Sequence, residues 1–149
     1  MASTSSSALT MLFDMAKEEA ELAMKQLATA NKVLREAQQK STMLHDYKQD
    51  YIEHLNVLLT QGIAKQSHLN YQNFLHKLEQ AISGQNEVTL AAEYERDKAL
   101  GVLQIAQRKK MSFEVLIDRA HKKAVKIANK RDQKLMDEFA MRAKRMHSS

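Results

Sequence analysis

The residues best suited to metal ligation or proton transfer are six histidines: His45, His54, His68, His76, His121 and His147. They are scattered. Asp50 and His54 lie one helical turn apart and could share a cation, but two ligands without a third make a poor metal site. A solvated pair is the expectation. The chain has no cysteine, so thiolate chemistry and disulfides are excluded. It also lacks a Gly-rich phosphate loop, a GxSxG elbow, an HExxH helix and an EF-hand loop. Catalysis needs a concave site that excludes water, and nothing in the sequence promises one. The expectation is a non-enzyme with no cofactor and no metal.

Two groups of residues remain that could recognise a partner. The first is aromatic. Tyr47, Tyr51, Tyr71 and Phe74 crowd into the stretch 40–85, whereas only 5% of the chain is aromatic. Leu44, Tyr47 and Tyr51 share one helical face at 3-4 spacing, and so do Phe74, Leu78 and Ala81. Leu44 and Tyr51 are seam positions, and core packing and partner binding are both open readings for them. Tyr47 falls beside that seam, and exposed aromatics in a cluster mark protein-binding surfaces. The second group is basic. Residues 1–107 carry ten Lys/Arg against thirteen Asp/Glu, while 108–149 carry thirteen against five, a local balance of +8. That last quarter should meet an acidic partner.

The elements that position these groups are helices. Proline is absent and there are only three glycines among 149 residues, too few for the turns of an ordinary globular domain. Residues 2–7, ASTSSS, read as a non-helical leader, with Thr4 to Ser7 able to cap a helix over about 8–60. A heptad runs through that helix. One line takes Phe13, Ala20, Leu27, Leu34, Ser41, Lys48 and Leu55; the other takes Ala16, Ala23, Ala30, Ala37, Leu44, Tyr51 and Leu58. Four successive alanines allow the backbone of a partner helix to come close.

Gly62 is the strongest helix stop and Ser67 a candidate N-cap. The turn is therefore expected at 61–67, with a second helix over about 68–145. So short a turn makes the helices antiparallel neighbours, with residue i facing about residue 130 − i. The expected second line is Phe74, Leu78, Ala81, Gln85, Val88, Ala92, Glu95, Ala99, Val102, Ala106, Lys109, Phe113, Leu116 and Ala120. The arms are unequal, about 80 Å and 115 Å at ~1.5 Å per residue. Some twenty C-terminal residues overhang, an amphipathic basic segment that should find an external partner. The fold class is thus all-α, a single long two-helix antiparallel coiled coil over 1–149 with an overhanging C-terminal end.

No apolar run approaches the ~18 residues of a membrane span, and the N-terminal stretch resembles neither a signal nor a transit peptide. Nucleic-acid binding by the basic quarter is the rival from another class. No Tyr or Trp interleaves with its charges for base stacking, and no recognised nucleic-acid module is present. A generic scaffold coiled coil fits the periodicity equally well.

Leu69 to Gln85 (LNYQNFLHKLEQAISGQ), Leu44 to Asn56 (LHDYKQDYIEHLN) and Arg131 to Ala143 (RDQKLMDEFAMRA) resemble the FliJ family of flagellar type III export proteins. The resemblance covers nearly the whole chain. It implies a coiled coil similar in shape to the central stalk of rotary ATPases. The paired ends are implied to enter a hexameric export ATPase ring, with Phe13, Lys126, Lys130, Arg131, Lys134, Leu135, Phe139 and Arg142 as candidate ring residues. The bend is implied to touch the cytoplasmic side of the membrane export gate through Lys40, Leu44, Tyr47, Tyr51, Phe74, Leu78, Ala81 and Gln85. Export chaperones are further implied partners. The implied location is the cytoplasm, peripheral to the inner-membrane export apparatus.

Overall fold

A computed structural model describes residues 2–148, with side chains from residue 6 onward. The fold is all-α, a helical hairpin coiled coil. Helix α1 spans Ala2–Gln61 and helix α2 spans Lys65–His147. No strand occurs among the described residues.

The helices are longer than the sequence suggested. Residues 2–7 are the first turns of α1 rather than a leader. Ser and Thr cost a helix little, and in the turn that follows Thr10 Oγ1 donates to the Ser6 carbonyl at 2.9 Å. The turn shrinks from seven residues to three. Gly62 takes φ 81°, the left-handed conformation that closes a helix C-terminus. Its N–H bonds the Leu59 carbonyl at 3.4 Å, and the Ala64 carbonyl already accepts from His68 N–H at 3.1 Å. Ser67 therefore lies inside α2 and caps nothing. At the far end, Lys144, Arg145 and His147 sit in the last turn of α2, where cations offset the helix dipole.

The shorter turn moves the register. Ser41 meets Asn86, Lys48 meets Glu79 and Glu19 meets Lys109. Each pair adds to 127 or 128 where 130 was expected, because the turn lies earlier, between Gln61 and Lys65.

Along α1, all fourteen heptad positions from Phe13 to Leu58 are buried or half-buried; the only other such residue in that span is Ile52. Along α2, one of the two expected lines is displaced by one residue. Leu78, Gln85, Ala92, Ala99, Ala106 and Phe113 face inward as expected, but their companions are Tyr71, Leu75, Ile82, Thr89, Arg96, Leu103, Lys110 and Ile117. Val88, Val102 and Leu116 are exposed. This turns the buried face by about 50°, half of one residue's ~100° step. Physical chemistry favours the observed phase. Leu75, Ile82, Leu103 and Ile117 set large side chains against the alanines of α1. Arg96 and Lys110 can bury their stems and keep their charges wet, which the shorter Glu95 cannot do.

The chain divides into two packed units rather than one. One comprises residues up to 20 and from 105 onward; the other comprises 21–104. In the second, Ala23, Leu34, Ala37, Leu55, Leu78, Ile82, Ala92 and Leu103 form the core, with Leu34, Ala37 and Ala92 clustered. In the first, the buried residues are Ala16, Ala20 and Ala106. Both cores are thin, and no large side chain is fully enclosed among the described residues.

Candidate docking surfaces

In the unit spanning 21–104, Tyr47, Tyr51, Tyr71 and Phe74 form one cluster, and Tyr94 stands outside it, 68% exposed. Tyr51 is its centre, half-buried on the α1 seam. Its ring lies 4.7 Å from Phe74 and 5.4 Å from Tyr71, centroid to centroid, both tilted at 42°. Tyr47 stacks on Tyr51 at 6.4 Å and meets Phe74 edge-on at 6.3 Å. These are distances at which aromatic pairs attract beyond simple burial. His54 closes the cluster, 6.3 Å from Tyr71. Burial pushes the Tyr51 hydroxyl above its ordinary pKa of 10.0, with smaller contributions from Tyr71 and Tyr47. The ring system is not enclosed: Tyr47 is 52% exposed and Phe74 40%.

The position of Phe74 differs from expectation. It lies one residue off the α2 seam, and so does Ala81, which is exposed. Tyr47 and Lys40 stand at the corresponding positions beside the α1 seam. The Tyr47–Phe74 contact sets these two rows on the same side of the helix pair. The remaining four candidates, Leu44, Tyr51, Leu78 and Gln85, lie in the seam beneath. The eight residues therefore sit on two facing stretches, 40–51 and 74–85. Gln85 ties them together, donating from Nε2 to the Ala37 carbonyl at 3.0 Å.

The same lateral rows carry Val33, Val88 and Val102, all about half exposed, which sequence reading did not single out. The opposite side is mixed: Asn31, Gln38, Gln72, Glu79, Asn86 and Glu93 lie there with Met24, Ile52, Leu59 and Leu100, and it holds the Ser41–Asn86 bond and the Lys48–Glu79 pair at 3.6 Å. The available signal was the phase of α2. Once Leu75 and Ile82 are taken as seam, Phe74, Ala81, Val88 and Val102 fall outside it together.

In the other unit, Phe13 is half-buried and lines a shallow groove of about 470 Å³ with Thr10, Asp14, Glu114, Ile117, Asp118 and His121. Lys109 pairs with Glu19 at 3.2 Å and Lys122 with Asp118 at 3.1 Å. From His121 to Ser148 every residue is exposed except Ala143, which is half-buried. Lys126, Lys130, Arg131, Lys134, Leu135, Phe139 and Arg142 all lie on this length. Phe13 is not brought to them; it packs a full turn or more before they begin.

Among the described residues no group of three or more His, Cys, Asp or Glu side chains could hold a metal ion, so Asp50 and His54 gain no third ligand. No helix there is long and apolar enough to cross a membrane. The surfaces offer apolar, aromatic and cationic recognition of other macromolecules.

A family model described as "Flagellar FliJ protein" matches residues 5–148. A flagellar FliJ protein of Salmonella typhi is 34% identical over 137 residues, covering 91% of this chain and 92% of the relative. Its counterpart in Escherichia coli (strain K12) is 32% identical over 136 residues, with the same coverage. Among solved structures, a protein described as a YscO homologue, CT670 of Chlamydia trachomatis, aligns with TM-score 0.49 and 18% identity. That alignment covers 97% of this chain and 94% of the other, a similarity too distant to bear on function. The family match over nearly the full length, with relatives above 30% identity, makes this chain a member of the flagellar FliJ protein family.

Proposed function

We propose that the chain is a non-catalytic coupling component of the flagellar type III export apparatus. The observation that carries this reading is that each of the two packed units bears a recognition surface of its own. A half-exposed aromatic cluster stands within a few turns of the Gly62 turn, and an exposed cationic helix end follows His121. In this reading the cluster, with Lys40, Leu44, Leu78, Ala81 and Gln85 around it, docks on the cytoplasmic domain of the membrane export gate. Phe13 and the segment carrying Lys126 to Arg142 enter the hexameric export ATPase ring, where acidic groups or main-chain carbonyls accept from the cations. The chain hydrolyses nothing itself. It promotes ring assembly and links ATP hydrolysis to gate opening. Export chaperones bind it once free of cargo. It works in the cytoplasm, peripheral to the inner membrane.

Co-purification with the hexameric ATPase is the test. The full chain is expected to elute with the assembled ring, and a Lys126→Glu/Lys130→Glu/Lys134→Glu variant is expected to lose that association. Failure of the wild-type chain to accompany the ring would leave a generic scaffold as the better reading.

A further inference from the structure

The cationic end of α2 has a second property that the coupling reading does not use. With Phe139 taken as the origin at ~100° per residue, Val125, Ala128, Leu135, Met136 and Ala143 all fall within about 60° of it, and His121, Asp132 and Arg142 share that arc. Lys123, Lys126, Lys130, Lys134 and Lys144 fall about 140° or more away on the same count. The apolar face is open: Val125 is 45% exposed, Leu135 63%, Met136 72% and Phe139 75%. The segment 121–148 carries nine Lys/Arg against three Asp/Glu. From Val125 to Phe139 the face is about 21 Å long at ~1.5 Å per residue.

We propose that this end of α2 lies along the surface of an anionic lipid bilayer, with Leu135, Met136 and Phe139 at the headgroup–acyl boundary and the lysines among the headgroups. An apolar stripe backed by lysines is the form of an interfacial helix. Charge complementarity selects the occupant. A second copy of the chain would oppose nine cations to nine. A nucleic acid would engage the lysines alone and leave Leu135, Met136 and Phe139 in water. A lipid surface uses both faces at once, and its negative potential attracts clustered Lys and Arg. The segment is shared with the ring-entering end of the preceding reading, so ring and lipid are alternate occupants. The proposal stands without the ring, because it concerns the chain alone.

The test is co-sedimentation of the full chain with vesicles of phosphatidylcholine or of phosphatidylcholine and phosphatidylglycerol in equal parts, at low and moderate salt. Partitioning at least tenfold greater on the anionic vesicles is expected, falling several-fold as salt rises. Leu135→Ser/Phe139→Ser should cut it at least tenfold, as should Lys126→Glu/Lys130→Glu, with helicity by circular dichroism unchanged. No partitioning onto anionic vesicles at low salt overturns the proposal. So does wild-type partitioning by the Leu135→Ser/Phe139→Ser variant, which means charge adsorption only. Equal binding to polyglutamate with the same dependence on Leu135 and Phe139 also overturns it, in favour of an acidic protein groove.

Discussion

Three chemically identical substitutions should move stability in opposite directions, and the sign reports where the chain turns. Gly62 has φ 81°, and a Cβ placed there meets nothing within 4 Å. Gly62→Ala therefore adds no clash. It adds the backbone cost of a left-handed L-residue, about 1–2 kcal/mol. Reduced freedom of the unfolded chain returns roughly 0.4–1 kcal/mol. The net expectation is a loss of about 1 kcal/mol. Gly84 and Gly101 lie inside α2, without positive φ and with equally open surroundings. There alanine carries no strain and should add about 0.5–1 kcal/mol each. Near 3 °C per kcal/mol for a chain of this size, Gly62→Ala and Gly84→Ala should melt about 5–6 °C apart. The assay is thermal unfolding followed by circular dichroism at 222 nm. A Gly62→Ala variant as stable as Gly84→Ala would refute the turn at this position and replace the hairpin with a continuous helix.

Two further outcomes follow from packing and titration. Leu103 is 8% exposed and Val102 46%, so Leu103→Ala should cost about 2–3 kcal/mol and Val102→Ala under about 1 kcal/mol in urea unfolding; the reverse order would restore the seam first read from the sequence. Tyr51 has a folded pKa raised above 10.0 by burial. Both states are protonated below that value, and above it the unfolded chain releases its proton first. Stability should thus hold up to about pH 10 and fall through the folded pKa, and Tyr51→Phe should flatten that fall in unfolding midpoints measured on either side of pH 10.

The first helix was legible because its signal was redundant: fourteen heptad positions agree, and polar Ser41 and Lys48 do not outweigh twelve apolar neighbours. The second helix was not, because two lines compete. The line through Phe74, Val88, Val102 and Leu116 holds more apolar residues than the one through Leu75, Ile82, Leu103 and Ile117, so counting favours the wrong one. Residue size and the tolerance of a seam for Arg over Glu decide it, and both depend on what the partner helix presents. The same ambiguity reached the candidate site. Tyr47 is read correctly as lying beside the seam, but Phe74 becomes exposed only once the phase is known. The polar tie from Gln85 to a carbonyl of the other helix has no sequence signature. The division into two units has none either, since both helices run through it without a break.

The most direct measurement of the central claim is a separation of activities in one variant. Tyr47→Ala/Tyr51→Ala/Phe74→Ala removes three of the four rings of the Tyr47–Tyr51–Tyr71–Phe74 cluster and leaves the cationic end intact. Binding to the cytoplasmic domain of the export gate and stimulation of the export ATPase are measured on the same preparation, with helicity checked. Gate binding weakened by at least tenfold with ATPase stimulation at the wild-type level is the expected result. Loss of ATPase stimulation with gate binding retained, at unchanged helicity, would contradict the division of labour between the two surfaces.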